Sequence, residues 1–125
     1  MIGQFDGLRA EIAFFHTNKM CKTVLITGAQ TATGQQLISS LPRDSFKIIA
    51  ALAPREHLEL GLLDHCEKVI ELDYNDRDTV NEAFRLNQID YLFLIPSRSE
   101  ERALEAKRLI SVGMENNVVF HLFII

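Results

Sequence analysis

The sequence predicts a three-layer α/β fold: a parallel sheet of five strands in the order 3-2-1-4-5, with helices on both faces. Three observations predict it. Short runs rich in Val, Ile, Leu and Phe alternate with segments of helical periodicity from Lys22 to Ile125. Several of these runs are apolar almost without interruption, as strands covered on both faces are. The first run, Lys22 to Thr27, feeds the small-residue loop Gly28-Ala29-Gln30-Thr31-Ala32-Thr33-Gly34 and then a helical pattern. Strand, tight loop and helix start in that order present backbone N–H groups to an anion, which is the Rossmann-type arrangement and makes the loop a candidate pyrophosphate cradle.

The elements follow in order. After the first strand, Thr33 to Leu41 carries Leu37, Ile38 and Leu41 at helical spacing and stops at Pro42. Phe46 to Ala53 is the second strand, closed by Pro54, because a residue before proline is steered towards extended conformations. Leu58, Leu62 and Leu63 mark a short helix that Gly61 weakens. Lys68 to Leu72 is the third strand. It runs into Asp73-Tyr74-Asn75-Asp76, polar residues suited to end a strand and cap the next helix, Arg77 to Leu86, where Val80, Ala83 and Phe84 share a face. Ile89 to Ile95 is the fourth strand, ended by Pro96. Ser97-Arg98-Ser99-Glu100 has capping-box spacing, and Ala103, Ala106, Ile110 and Met114 form the expected buried stripe of the last helix. Asn116 and Asn117 turn the chain into the fifth strand, Val118 to Ile125. Right-handed crossovers then open a crevice at the carboxyl ends of the first and fourth strands, with Gly28 to Gly34, Asp73 and Ile95 to Ser99 around it.

Composition narrows the functional classes. The 125 residues fit one domain, residues 22–125, preceded by an extension, residues 1–21. In that extension Phe5, Leu8, Ile12 and Phe15 suit one helical face; a docking helix, a frayed tail and a start before Met20 all stay open. A net charge of -4 offers no basic face, so no nucleic-acid partner is expected. Asp6, Arg9 and Glu11 interrupt the apolar start, which argues against a signal peptide, and no run reaches the ~20 apolar residues of a membrane span. Cys21 and Cys66 in such a chain point to reduced thiols and a cytoplasmic location. The histidines lack metal-ligand spacing, and no metal is expected. Gln35 and Gln36 stand where a phosphate-loop NTPase needs Lys and Ser or Thr. The cluster Glu100-Glu101-Arg102 reads as helix-start charge on a solvated face. The apolar fifth strand leaves an edge through which self-association or a partner protein is expected.

Taken together, Val24 to Ala29 followed by Thr33-Gly34, then Ala50 to Arg55, Val69 to Tyr74 and Ile89 to Ile95, resemble the NmrA-like branch of the atypical short-chain dehydrogenase/reductases. The resemblance covers Lys22 to Ile125 and implies an NAD(P)-binding oxidoreductase module. It implies Gly28, Gln30, Thr31, Thr33 and Gly34 along the pyrophosphate, Asp73 beside the adenine with Tyr74 next to it in the cofactor site, and Ile95 and Pro96 flanking the nicotinamide ribose. Read by its own chemistry, Asp73 is equally a turn or capping aspartate. The family usually has a glycine where Thr31 stands; the Thr31 Cβ keeps the pyrophosphate farther from the backbone, or its hydroxyl donates to it. A basic residue just after the second strand commonly meets the 2′-phosphate of NADP there. Arg55 lies there or one residue late, so NADP is expected ahead of NAD, with a solvated surface charge as the alternative for Arg55.

Hydride transfer also needs a group that orients and polarises the substrate carbonyl. No Tyr-x-x-x-Lys pair occurs: Asp78 follows Tyr74 and Ile95 follows Tyr91 at that spacing. No catalytic residue is therefore assigned. The expectation is a cofactor half-site lacking the C-terminal substrate part and not catalytically complete by itself. Two alternatives stand beside it: a non-catalytic NADP-sensing regulator, and a structural remnant that binds no nucleotide.

Overall fold

The structure, a computed structural model, describes residues 21–122. Its strands are β1 (Lys22–Thr27), β2 (Phe46–Leu52), β3 (Lys68–Glu71), β4 (Tyr91–Leu94) and β5 (Val119–Leu122). They lie in the order β3-β2-β1-β4-β5, and every neighbouring pair is parallel. The intervening helices are α1 (Ala32–Ser40), α2 (Leu60–Leu63), α3 (Arg77–Asn87) and α4 (Arg102–Glu115). The expected extension and its Phe5, Leu8, Ile12 and Phe15 face fall outside the described residues, as do Phe123 to Ile125 of the expected open edge.

Period-two alternation along the strands divides the core into two layers. Val24 and Ile26 of β1 and Ile48 and Ala50 of β2 meet Leu37, Ile38 and Leu41 of the α1 segment, with Leu62 of α2 against them. Leu25, Ile49, Ala51, Leu92 and Leu94 point the other way, onto Val80 and Phe84 of α3 and Leu109 and Val112 of α4. Both faces of β1 are therefore covered, and Val24, Leu25 and Ile26 are all fully buried. That is why this strand reads as a continuous apolar run instead of an alternating one. β3 sits at an edge and leaves Lys68, Val69 and Glu71 exposed, and the charges of Lys68 and Glu71 blunt pairing with another chain.

Local chemistry sets the helix starts. The Thr31 hydroxyl caps α1, accepting from the Gly34 N–H at 3.0 Å and donating to the Gly28 carbonyl at 2.7 Å. Asp76 caps α3 by accepting from the amides of Asp78 and Thr79. Hydrogen bonding by Thr79, side chain first and then backbone, holds its carboxyl below the ordinary value.

The last helix departs from the expected pattern in two ways. Its buried residues are Glu105, Leu109, Val112 and Gly113, whereas Ala103 and Met114 are exposed and Ala106 and Ile110 only half-buried. The apolar stripe read from the sequence is thus rotated from the true one. A buried acid at Glu105 interrupts the real stripe, so the neighbouring, uninterrupted set of apolar residues carries the stronger periodic signal. Nor does the capping box form. α4 starts at Arg102 behind Glu101, which makes no side-chain cap, while the Ser97 hydroxyl donates to Glu105 and the Ser99 hydroxyl accepts from the Glu101 amide.

The close approach of α1 to the end of β1 needs glycine at position 34. A Cβ placed there would lie 2.4 Å from the Gly28 carbonyl oxygen and 2.7 Å from the Ala29 Cα, both backbone atoms that cannot swing aside. Gly34→Ala is expected to cost about 3 kcal/mol of stability in chemical denaturation, despite the better helix propensity of alanine. A variant as stable as the parent would show that α1 does not rest on this contact.

Candidate functional site

The crevice begins where β1 and β4 stop pairing. Their last ladder partners are Ile26 and Phe93. One step further, the fully buried Thr27 hydroxyl accepts from the Ile95 N–H at 3.0 Å and donates to the Ile95 carbonyl at 3.4 Å. A side chain thus replaces the backbone ladder for one residue. Gly28 makes the turn on the β1 side with φ of +63°, a left-handed conformation that favours glycine. A Cβ there would also press on the Ile95 side chain at 3.1 Å.

Two connected lobes open above this point. The first, of about 440 Å³, is lined by Gly28, Gln30 and Thr31 after β1, Ala53 and Glu56 after β2, Tyr74 after β3, and Ile95 to Ser99 after β4. The second, of about 570 Å³, is lined by Thr31, Ala32 and Thr33 at the start of α1, by Ile95 to Arg98, and by Arg102. They share Thr31 and the segment Ile95 to Arg98, so Thr31 forms a saddle between them. Each lobe has the size of a small-molecule site.

Seven of the ten residues expected from the sequence line these lobes: Gly28, Gln30, Thr31, Tyr74, Ile95 and Pro96 the first, Thr33 the second. Gly34 lies behind the loop, where it serves packing. Asp73 is exposed and turned onto its own backbone, accepting from the Asn75 N–H at 3.0 Å. This is the turn-forming role its chemistry also allowed. Arg55 is exposed and outside both linings. Ala53-Pro54-Arg55-Glu56 closes as a turn through a hydrogen bond from the Glu56 N–H to the Ala53 carbonyl at 3.1 Å. Arg55 takes the third position with φ of 74°, where a type II turn favours glycine. This turn brings Glu56 to the wall of the first lobe.

The Thr31 hydroxyl does not reach outward as a donor for a pyrophosphate. Its proton goes to the Gly28 carbonyl and its lone pair to the Gly34 amide, because the same side chain is the helix cap. The amides of Ala32 and Thr33, in the first turn, have no carbonyl partner within the helix.

Beneath the first lobe, Glu105 is buried and accepts the Ser97 hydroxyl proton at 2.6 Å, and Arg108 donates to the Tyr74 carbonyl at 2.5 Å. Tyr74 is 7% exposed. Burial pushes its phenol up to about 12; the nearby Gly28 amide draws it partly back, without forming a well-aligned hydrogen bond, and the Glu105 carboxylate adds to the rise. Sequence reasoning missed Ala53, Glu56 and Arg102 as lining residues and Glu105 as a buried acid. For Ala53 and Glu56 the signal was there: the residues that follow a strand adjoining the order reversal face the crevice. Among the described residues no group of three or more His, Cys, Asp or Glu could hold a metal ion, and no helix is long and apolar enough to cross a membrane.

No family model matches the chain, and no curated protein sequence matches it. Solved structures do. UDP-glucose 4-epimerase of Thermotoga maritima with UDP-glucose aligns with a TM-score of 0.66 at 17% identity, over 80% of this chain and 37% of that one. A structure from the pinoresinol-lariciresinol and phenylcoumaran benzylic ether reductases aligns with a TM-score of 0.65 at 18% identity, over 82% and 36%. Leucoanthocyanidin reductase of Vitis vinifera, in its binary complex with NADPH, gives 0.61 at 18% identity, over 78% and 34%. The chain spans little more than a third of these neighbours' lengths. At such identities the likeness is one of fold: this is a Rossmann-type α/β domain of the kind found in reductases and an epimerase.

Two outcomes follow from this geometry. Thr27→Val keeps the shape but leaves the buried Ile95 N–H without its acceptor; a loss of about 1–3 kcal/mol in denaturation is expected. The chain has two tyrosines and no tryptophan, so tyrosinate absorbance reads Tyr74 and Tyr91 directly. Tyr91 is raised as well, by burial first and then by Asp90. The folded protein should show less tyrosinate at pH 10 than the denatured chain, which is half ionised there. Because the folded pKa of Tyr74 is the higher one, its contribution is intact below about pH 10 and is lost as the pH climbs towards 12, by roughly 2–3 kcal/mol in all.

Proposed function

We propose that the chain is the NAD(P)-binding module of an NmrA-like oxidoreductase. The observation that carries this reading is the pair of lobes joined across the start of α1 at the order reversal of the sheet. A dinucleotide has that form: two nucleosides linked by a diphosphate. The diphosphate lies over Thr31, towards the amides of Ala32 and Thr33 and the positive end of the α1 dipole. The adenosine takes the first lobe, between the β2 turn and Tyr74. The nicotinamide half takes the second, where Arg98 and Arg102 add positive charge. When bound, the nicotinamide supplies the redox chemistry; the residues of this chain bind and orient it, and none is assigned a catalytic role.

Two adjacent residues compete to set the phosphate preference. Arg55, in the turn three residues past the end of β2, is held in a left-handed conformation that an arginine adopts at some cost, which favours a role for it and hence NADP. Glu56 lines the first lobe, and a carboxylate there accepts ribose hydroxyls and repels a 2′-phosphate, which favours NAD.

Titration with NADPH and NADH, followed by nicotinamide fluorescence, tests both levels of the reading. Saturable binding of at least one is expected, and no binding of either at millimolar ligand overturns the assignment. Arg55→Gly relaxes the turn while removing the guanidinium. If Arg55 meets the 2′-phosphate, it should lower NADPH affinity about tenfold, as loss of a charge-assisted hydrogen bond does, and leave NADH unchanged. An unchanged ratio in Arg55→Gly, together with a shift towards NADPH in Glu56→Gln, assigns NAD instead.

A further inference from the structure

Two buried polar atoms of residues that line the first lobe stand out because the described residues leave them unpaired. Tyr74 Oη and Gln30 Oε1 have no hydrogen-bond partner, although both side chains line the same 440 Å³ space. Other polar groups nearby are matched: Thr27 with Ile95, Ser97 with Glu105, Thr31 with Gly28 and Gly34. Buried polar groups are normally paired, and an exception at a cleft wall marks a place where a ligand completes the set.

The chemistry of the two atoms selects that ligand group. The phenol, neutral at ordinary pH, brings an O–H donor; the amide oxygen brings an acceptor. A phosphate oxygen would satisfy Tyr74 but face the Gln30 oxygen, with the carboxylates of Glu105 and Glu56 close to the same lobe. An exocyclic amine would satisfy Gln30 and offer Tyr74 no acceptor. A hydroxyl does both, since it accepts and donates through one atom. The β2 turn, with Ala53 and Glu56, lines the lobe beside them, which is the adenosine side in the reading above.

We propose that Gln30 and Tyr74 form a hydroxyl-recognition pair for the adenosine ribose: Tyr74 Oη donates to one ribose hydroxyl, and that hydroxyl donates to Gln30 Oε1. This rests on the dinucleotide reading and adds the ribose contact to it. The pair acts in binding and positioning, with no bond made or broken.

The test compares AMP, 2′-deoxy-AMP, 3′-deoxy-AMP and NADH by calorimetry on the whole chain, as the parent and as Tyr74→Phe and Gln30→Met. The parent should bind one of the two deoxynucleotides about 30-fold more weakly than AMP, because the missing hydroxyl makes two neutral hydrogen bonds. Each variant removes one of the two bonds and should lose about five- to tenfold against AMP and NADH, yet bind that deoxynucleotide as the parent does. Ligand-free Tyr74→Phe should melt at or above the parent, because it discards an unpaired buried hydroxyl; a merely structural tyrosine would not combine equal stability with weaker binding. Tyr74→Phe binding AMP as tightly as the parent, or losing the same factor against all three nucleotides, overturns the pair while leaving the dinucleotide reading intact. A parent that binds none of AMP, NADH and NADPH overturns both.

Discussion

The contact on which the rest of this structure depends is between two stretches of backbone: α1 at Gly34 resting on the Gly28 carbonyl and Ala29 at the end of β1. It brings the helix start to the top of the sheet and holds it there. The cap made by Thr31 is a consequence, since its hydroxyl spans from the Gly28 carbonyl to the Gly34 amide only when those two groups are brought together. The saddle between the two lobes is a further consequence. A helix standing farther away would leave one broad groove in place of two spaces meeting at Thr31. The threonine at position 31 therefore serves the loop itself, as a glycine there, with no side chain, would not. It exchanges close backbone approach for a side-chain cap.

Polar groups around the crevice fall into two sets with different work to do. Thr27, Ser97 and Glu105 are joined to protein partners and set the spacing between β1, β4 and α4. They behave as structure, because a buried hydroxyl or carboxylate with satisfied bonds has one preferred arrangement. Tyr74 and Gln30, which line the first lobe, each keep an unpaired buried atom. Stability is not improved by such groups, so their cost points towards binding.

Much of the scaffold was legible from residue pattern. The near-continuous apolar runs of β1 and β2, the turn chemistry of Asp73 to Asp76 and the small-residue loop each reflect interactions within a few residues of chain. α4 shows where such reading breaks down. Ala103, Ala106, Ile110 and Met114 make a clean periodic stripe, yet the core takes the adjacent face, with Glu105 buried alongside Leu109 and Val112. An acid on a buried stripe looks wrong until its partner is known, and that partner, Ser97, lies on the loop before the helix. Ser97 to Glu100 fails as a capping box because the Ser97 hydroxyl donates to Glu105 and accepts from the Ser99 N–H, two residues on, while the helix begins only at Arg102.

The sequence by itself determined the alternation of strand and helix, the parallel sheet and the place of the crevice, because periodicity, proline and glycine act locally and crossovers have one hand. Only the tertiary structure decided which side chains enter that crevice. Arg55 and Glu56 are neighbours in the chain, and a single left-handed residue turns one to the solvent and the other to the wall. Asp73 and Tyr74 are neighbours too; the first closes its own turn, and the second goes under the lobe. The direction of a side chain in a loop is set by what it packs on, and here those surfaces come from β1, β4 and α4, segments far apart in the chain.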